Sequence, residues 1–352
     1  MSDYILKYND STQHYFYLPN QGLCVRNKVV NLWQNHKPVF PDSTKAFSVF
    51  CDKNNTLHAI CTNSENCLVY LIFKNNHWQS YVIARLKPEM QVFNLFLFET
   101  RIGLSILYTA GYGGEILLIH CVLGDHAMPE TIAKLSNPYF YFFKNRVYYT
   151  NSGGILGYCD ISDGKADTFN KLVNGGDTPY IITHNQKDLF VFKKDSHICF
   201  QNRPVQEDKN ATHPILVSNK NQLLLMWQNN DFIRYMESND CGNSWSNVMQ
   251  YVNPGKTPHI YHVVNNCKTY NYFGNHSSSS LHIYGKNDIF EKETEVKNTC
   301  FKDPDNITKL KILIEMQKKE ICELKREIIQ LGDVIKAFKE ENSSPKCDNS
   351  EE

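Results

Sequence analysis

Three loops carry the residues best suited to binding chemistry in this chain. They are Thr109-Ala110-Gly111-Tyr112-Gly113-Gly114-Glu115, Thr150-Asn151-Ser152-Gly153-Gly154, and Gly274-Asn275-His276 with four serines following. Tyr112 offers a ring face for stacking. Glu115, Asn151 and His276 offer polar groups, a combination that suits a sugar or a peptide. Gly, Ser and Asn also build ordinary hairpins, so turn chemistry is the alternative at each position. Catalytic patterns are missing. Tyr112-Gly113-Gly114 feeds a strand rather than a helix, which disfavours phosphate cradling. No Gly-x-Ser-x-Gly elbow occurs, and neither Cys-x-x-Cys nor His-x-x-x-His spacing points to a metal. The expectation is a protein with no cofactor, no metal and no catalytic residue.

The elements that must position these loops form a repeat. Apolar anchors at HYFYLPN (14–20), LHAICTN (57–63), IGLSILYT (102–109), VYYTN (147–151), LFVFKK (189–194), LLLMWQ (223–228) and TYNYFG (269–274) recur at intervals of about 42 residues. Polar turns such as DKNNT, FKNR and HNQKD precede them. Two connecting loops match closely, VNGGDTPYI at 173–181 and VNPGKTPHI at 252–260, and Pro138, Pro179, Pro214 and Pro258 each precede an incoming strand. Proline costs least at the first residue of a strand, where its missing N–H is not needed. Short antiparallel strands in a forty-residue period predict an all-β fold, a β-propeller over 1–300. It would have seven blades, or six if the first unit only completes the last. Ligand would then sit at the channel mouth, among the loops joining second to third strands and one blade to the next.

One segment in the sixth unit resembles a known device. Ser238-Asn239-Asp240-Cys241-Gly242-Asn243-Ser244-Trp245 is similar to the Asp-box of the sialidase-like propellers, with serine in place of the usual threonine. The Asp240 carboxylate can accept from turn amides, Gly242 can supply a left-handed conformation and Trp245 can anchor between blades. Lys74-Asn75-Asn76-His77-Trp78 and Asp163-Gly164-Lys165-Ala166-Asp167-Thr168-Phe169 are fainter copies. In that family the turn joins third and fourth strands away from the substrate, so Ser238, Asp240, Gly242, Ser244 and Trp245 are expected to be structural. The family's enzymes bind a substrate carboxylate with three arginines and use a tyrosine, a glutamate and an aspartate. Outside the C-terminal helix this chain offers only Arg26, Arg85, Arg101, Arg146, Arg203 and Arg234, two of them at first-to-second-strand turns. The resemblance therefore implies the fold more than the activity.

The last part of the chain follows a different period. Ile307, Ile314, Ile321, Ile328 and Ile335 recur every seventh residue, and Leu310, Gln317, Leu324, Leu331 and Phe338 fall three residues after each. Isoleucine at a with leucine at most d positions favours a parallel two-stranded coiled coil. Glu320 can reach Lys325 of a second copy. Leu313 and Val334 broaden the apolar stripe, which keeps a trimer as the alternative. The expected order is a propeller, a linker and helix cap at 301–306, a helix of about 50 Å at 307–341 and a disordered tail at 342–352.

Composition narrows the rest. Thirty-seven basic residues balance thirty-seven acidic ones, so no overall field favours nucleic acid or an anionic membrane. No leader-like apolar segment opens the sequence and no run is long enough to span a bilayer, which predicts a cytoplasmic location. Cys51, Cys61, Cys121, Cys159 and Cys199 fall inside apolar runs and read as small buried hydrophobes rather than disulfides. The expected function is a non-catalytic, oligomeric binding or scaffold protein for a protein or glycan. The alternative is a sialidase-like glycoside hydrolase or lyase.

Overall fold

The computed structural model describes residues 2–284, apart from 9–10, 30–31, 125–128, 163–164, 220–221, 252–258, 266–267 and 277–280. They belong to the compact unit Met1–Phe290. The linker at 301–306, the heptads at 307–341, the tail, Pro258 and the serines after His276 lie outside the described residues.

Among the described residues every regular element is a strand. The chain begins with β1 (Ser2–Tyr8), β2 (Ser11–Leu18), β3 (Gly22–Val29), β4 (Leu32–Trp33) and β5 (Lys37–Phe40). Next come β6 (Ser43–Cys51), β7 (Leu57–Asn63), β8 (Cys67–Lys74) and β9 (His77–Arg85), then β10 (Gln91–Thr100), β11 (Gly103–Tyr112), β12 (Glu115–Val122) and β13 (Glu130–Phe143). They are followed by β14 (Arg146–Asn151), β15 (Ile155–Ser162), β16 (Lys165–Ala166) and β17 (Asn170–Asn174), and by β18 (Tyr180–His184), β19 (Lys187–Lys194), β20 (His197–Phe200) and β21 (Arg203–Glu207). The series ends with β22 (Ala211–Asn219), β23 (Gln222–Asn229), β24 (Phe232–Ser238) and β25 (Met249–Tyr251), then β26 (His259–Asn265), β27 (Lys268–His276) and β28 (Leu281–Ile283). No helix among the described residues is long and apolar enough to cross a membrane.

Consecutive strands pair antiparallel in meanders because tight polar turns reverse the chain. Asn75-Asn76, Lys144-Asn145, Asn185-Gln186 and Gln201-Asn202 all hold two successive left-handed residues. This is the type I′ geometry that matches strand twist, and asparagine tolerates it better than most residues. β13 serves two meanders: Ile119 and Leu118 of β12 pair with its first half, and β14 pairs with residues 140–143. β1 also runs parallel to β26, with Tyr4 opposite His262, which joins the first meander to the last.

Strand alternation explains the core. In the second meander Val49, Leu57, Ala59, Cys61 and Val69 pack against Tyr4, Tyr15 and Leu23 of the first. Their neighbours Phe50, Ile60 and Leu68 face the opposite way and pack against Leu97, Ile106 and Ile119 of the third. Sheets that bury both faces against their neighbours explain why every residue of β7 is buried, the polar His58, Thr62 and Asn63 included. Successive sheets stacked face to face, with their first strands inside, make a propeller. Cys61, Cys121, Cys159 and Cys199 are buried thiols, while Cys51 is only half-buried.

A second repeated device ties each of the second to fifth meanders to the next. Asn66 Nδ2 donates to the carbonyls of Lys87 and Met90, Thr109 Oγ1 to Pro138, Thr150 Oγ1 to Gly176 and Lys193 Nζ to Lys209. Each donor lies in the last residues of a second strand or just after it, and each acceptor lies in the segment leading into the following sheet. The prolines differ from the sequence expectation. Pro179 directly precedes β18, but Pro138 and Pro214 lie inside β13 and β22, where the pairing register shifts. A bulge leaves backbone groups unpaired, so a residue without an N–H is tolerated there as well.

Candidate ligand-binding site

The leading segments of the inner strands converge on a cavity of about 1250 Å³. It is lined by the N-terminal ends of β6, β10, β18, β22 and β26 and by the middle of β13. This is the end of the propeller where one meander passes to the next.

Two rings stand open in the cavity: Tyr139 is 51% exposed and Phe93 36%. Both are positioned from the backbone up. The Tyr139 amide donates to Asn137 Oδ1 at 3.0 Å, and its carbonyl accepts from Thr178 Oγ1 at 3.0 Å. Phe93 lies over Gly111, where a Cβ would come within 3.0 Å of the ring, so the glycine makes room for it. His213 meets Tyr139 edge-on at 5.7 Å and sits in a left-handed conformation, φ 50°, at the β22 bulge. Desolvation by the surrounding walls holds its imidazole below the usual range. The Asp177 amide bonds the Lys193 carbonyl at 2.7 Å. Burial raises the Asp177 carboxyl, against the pull of Lys193 and His213. Stacking rings beside a carboxyl, an imidazole and an ammonium can grip the C–H face and hydroxyls of a polar ligand.

None of the four residues expected from the loops lines this cavity. Tyr112 accepts a hydrogen bond from Lys87 Nζ at 2.9 Å, and the ammonium lies 4.6 Å from its ring. Glu115 pairs with Lys134 at 2.6 Å across the surface. Asn151 Oδ1 accepts from the amides of Gly153 and Ile155, both at 3.0 Å, which closes its own turn. His276 joins a different group. Its Nδ1 lies 2.7 Å from Tyr261 Oη and 3.5 Å from Asp3 Oδ2, and its imidazole is held down to about 4 by desolvation and then by His14.

Asp3, His14 and His276 offer ligand atoms within 4.8 Å of one another, which raises the question of a metal. Arg26 Nε can only donate, so His14 Nδ1 accepts its hydrogen bond at 3.0 Å. The neutral ring then carries its proton on Nε2, which faces Asp3 Oδ2 at 2.9 Å. A cation on Nε2 would force that proton onto Nδ1, against the arginine donor. The group is better satisfied as a buried Arg–His–Asp relay between the first and last meanders.

Residues 239–248 join β24 to β25, and 238–246 form a locally satisfied turn. Asp240 accepts from the Ser244 amide at 2.9 and 3.1 Å, from Ser244 Oγ at 2.6 Å and from Ser238 Oγ at 2.8 Å. These bonds, led by the Ser244 hydroxyl, pull its carboxyl down to about 2. Gly242 takes φ +88°, and Trp245 packs edge-on against Phe200 of the preceding meander at 5.3 Å. Asp240 is absent from the lining of the cavity.

The arginines are dispersed. Arg26 bonds His14, Arg85 pairs with Glu65, Arg146 with Asp160 and Arg234 with Asp208, and Arg203 bonds the carbonyls of Gly242 and Asn243. None of these, nor Arg101, lines the cavity.

The cavity residues Tyr139 and His213 went unread in the sequence, although a signal was present. Asn137-Pro138-Tyr139 and His213-Pro214 belong to the recurring proline motif, which marks strand starts and at the same time places its flanking residues in the channel.

No protein-family model matches the chain. No curated protein sequence matches it either. Solved structures do. The BP39L lectin from Burkholderia pseudomallei superposes with a TM-score of 0.54 at 11% identity, over 80% of this chain and 95% of that one. A fungal lectin from Aleuria aurantia, described as a six-bladed β-propeller with a novel fucose recognition mode, matches with a TM-score of 0.41 at 10% identity, over 80% and 89%. At these identities the likeness to BP39L concerns architecture: the chain has a β-propeller fold.

Proposed function

We propose that this protein is a non-catalytic, oligomeric binding protein whose propeller takes a glycan at the cavity. The observation that carries this reading is the pair of open rings, Tyr139 and Phe93, in one cavity with Asp177 and His213. BP39L, which shares the architecture, is itself a lectin, and that supports the same reading. The dispersal of the arginines supports binding over sialidase-like hydrolysis, because carboxylate capture needs forks converging on one point. The head is read as seven-bladed, with β1–β2–β3–β5 counted as a blade of its own although β1 also pairs with β26, and as six-bladed if those strands only complete the last blade; the 238–246 turn is read as an Asp-box. The heptads at 307–341 join two or three copies, so that weak single contacts gain avidity on a repeated target. Buried thiols such as Cys61, raised by burial to about 12, suit a reducing compartment, here the cytoplasm.

A glycan array probed with the full chain tests this. Binding is expected to fall at least tenfold in Tyr139→Ala, by analogy with the loss of an aromatic hot spot worth about 2 kcal/mol or more. The melting temperature should hold, since the ring is half exposed. A full array without a single bound glycan, with the protein folded, would remove the glycan reading.

A further inference from the structure

The outer edge of the second meander differs from every other outer strand described. β9 is nine residues long and pairs only with β8, so among the described residues no strand takes up the backbone donors and acceptors of its other side. Proteins blunt such edges with short strands, prolines or charges. The other fourth strands do this: β5 reads KPVF, β17 NKLVN, β21 RPVQE, and β25 has three residues. The outward half of β13 carries Glu130 and Lys134. From His77 to Ile83, β9 has no Asp, Glu, Lys, Arg, Pro or Gly. Val82 is 64% exposed and Tyr81 51%, and Val82 is the most exposed large hydrophobic described.

We infer that β9 pairs antiparallel with β9 of a second copy of this chain, about a two-fold axis at Ser80. A symmetric contact must be self-complementary, and this strand is. With the axis at Ser80, Gln79 faces Tyr81, Trp78 faces Val82 and His77 faces Ile83, so no like charges oppose. Tyr81 Oη already bonds Gln79 Oε1 at 3.1 Å within one strand, and the same two residue types meet across the axis. The register shift that skips Ile83 ends the flat edge at Val82, so by symmetry the regular pairing runs from Trp78 to Val82, with His77 and Ile83 at its ends. Its area falls below the roughly 1,200 Å² of a stable interface, so it forms only at high local concentration. The proposed joining of tails at 307–341 supplies that concentration, and in this respect the inference rests on the function proposed above.

Directly opposed residues lie about 4.5–5.5 Å apart at Cα, within disulfide reach. The test uses the full chain carrying Ser80→Cys with Cys241→Ser and Cys347→Ser, oxidised mildly and mapped by mass spectrometry. A disulfide between residue 80 of two copies is expected in most of the protein. Adding Val82→Lys should reduce it at least tenfold without changing the melting temperature. Adding Ile321→Pro and Ile328→Pro should make the crosslink strongly dependent on protein concentration. If those prolines leave the sedimented mass unchanged, the tail reading fails, while the crosslink still reports on β9. A folded Ser80→Cys chain that forms no 80–80 bond at any concentration overturns the inference. So does scattered pairing of the introduced thiol with other cysteines, or an edge that takes up an unrelated extended peptide instead of a second copy.

Discussion

The second and sixth meanders occupy the same place in the repeat and solve two local problems differently. Each satisfies an aspartate, at opposite ends of the sheet. Asp52 follows β6 and accepts from His58 Nε2 at 3.2 Å and from the amides of Asn54 and Thr56, while His58 Nδ1 accepts from Tyr70 Oη at 2.7 Å. Asp208 precedes β22 and accepts from Trp227 Nε1 at 2.9 Å, Asn229 Nδ2 at 2.7 Å and Arg234 Nη1 at 3.1 Å. Burial works against the Asp208 carboxylate, and the bonds from Asn229 and Trp227 outweigh it, so its pKa stays below the usual value. The third-to-fourth connections differ more. In the second meander two left-handed asparagines reverse the chain at once, so the residues continue into a long outer strand. In the sixth, the loop of Asp240 and Trp245 uses the chain to cap itself and plug the neighbouring sheet, and β25 is three residues long. A repeat fixes where a sheet turns, but the chemistry of the turn decides how much edge remains.

The comparison can be broken hardest at the sixth meander's core. Trp227 is fully buried, and Trp227→Ala removes its ring as well as a donor to Asp208. A loss of about 3–5 kcal/mol in urea unfolding is expected. Gly242→Ala comes next. A Cβ there would sit 2.3 Å from the Phe200 ring, at a φ that L-residues avoid, so about 1–3 kcal/mol should be lost. The tight hairpin should be milder: Asn75→Val places a β-branched residue at φ 52° and should cost about 1–2 kcal/mol, with Asn75→Gly near neutral by the same measurement.

The smallest effect separates the two turns by pH. The folded pKa of Asp240 lies at about 2, below the ordinary 3.8. Its contribution is therefore fully present above that ordinary value and is lost as pH falls through about 2. Amide exchange at Gly242 and Ser244 should lose protection over that window, whereas the hairpin at Asn75-Asn76, which has no carboxylate, should not change. Equal protection at both turns would dissolve the distinction.

Much of the fold was legible because local signals agreed. Asparagine-rich reversals, period-two alternation and buried cysteines in apolar runs all point to one architecture, and the strands fall where the repeat puts them. The lining of the cavity was far less legible. Tyr112, Glu115, Asn151 and His276 stand out by residue type in glycine-rich loops, but a loop's composition reports its turn and not the direction in which its side chains project. Asn151 is occupied by its own turn, while Tyr139 and His213, next to prolines that read as purely structural, open into the cavity.

The sequence by itself determined the repeat, its turns and the heptad period of the C-terminal segment, because each depends on residues a few positions apart. Only the tertiary structure decided which strand ends share a cavity, that Asp3 meets His276 where the first and last meanders join, and that β9, alone among the described fourth strands, keeps an unguarded edge. Those outcomes depend on distances between sheets far apart in the chain, which no local pattern encodes.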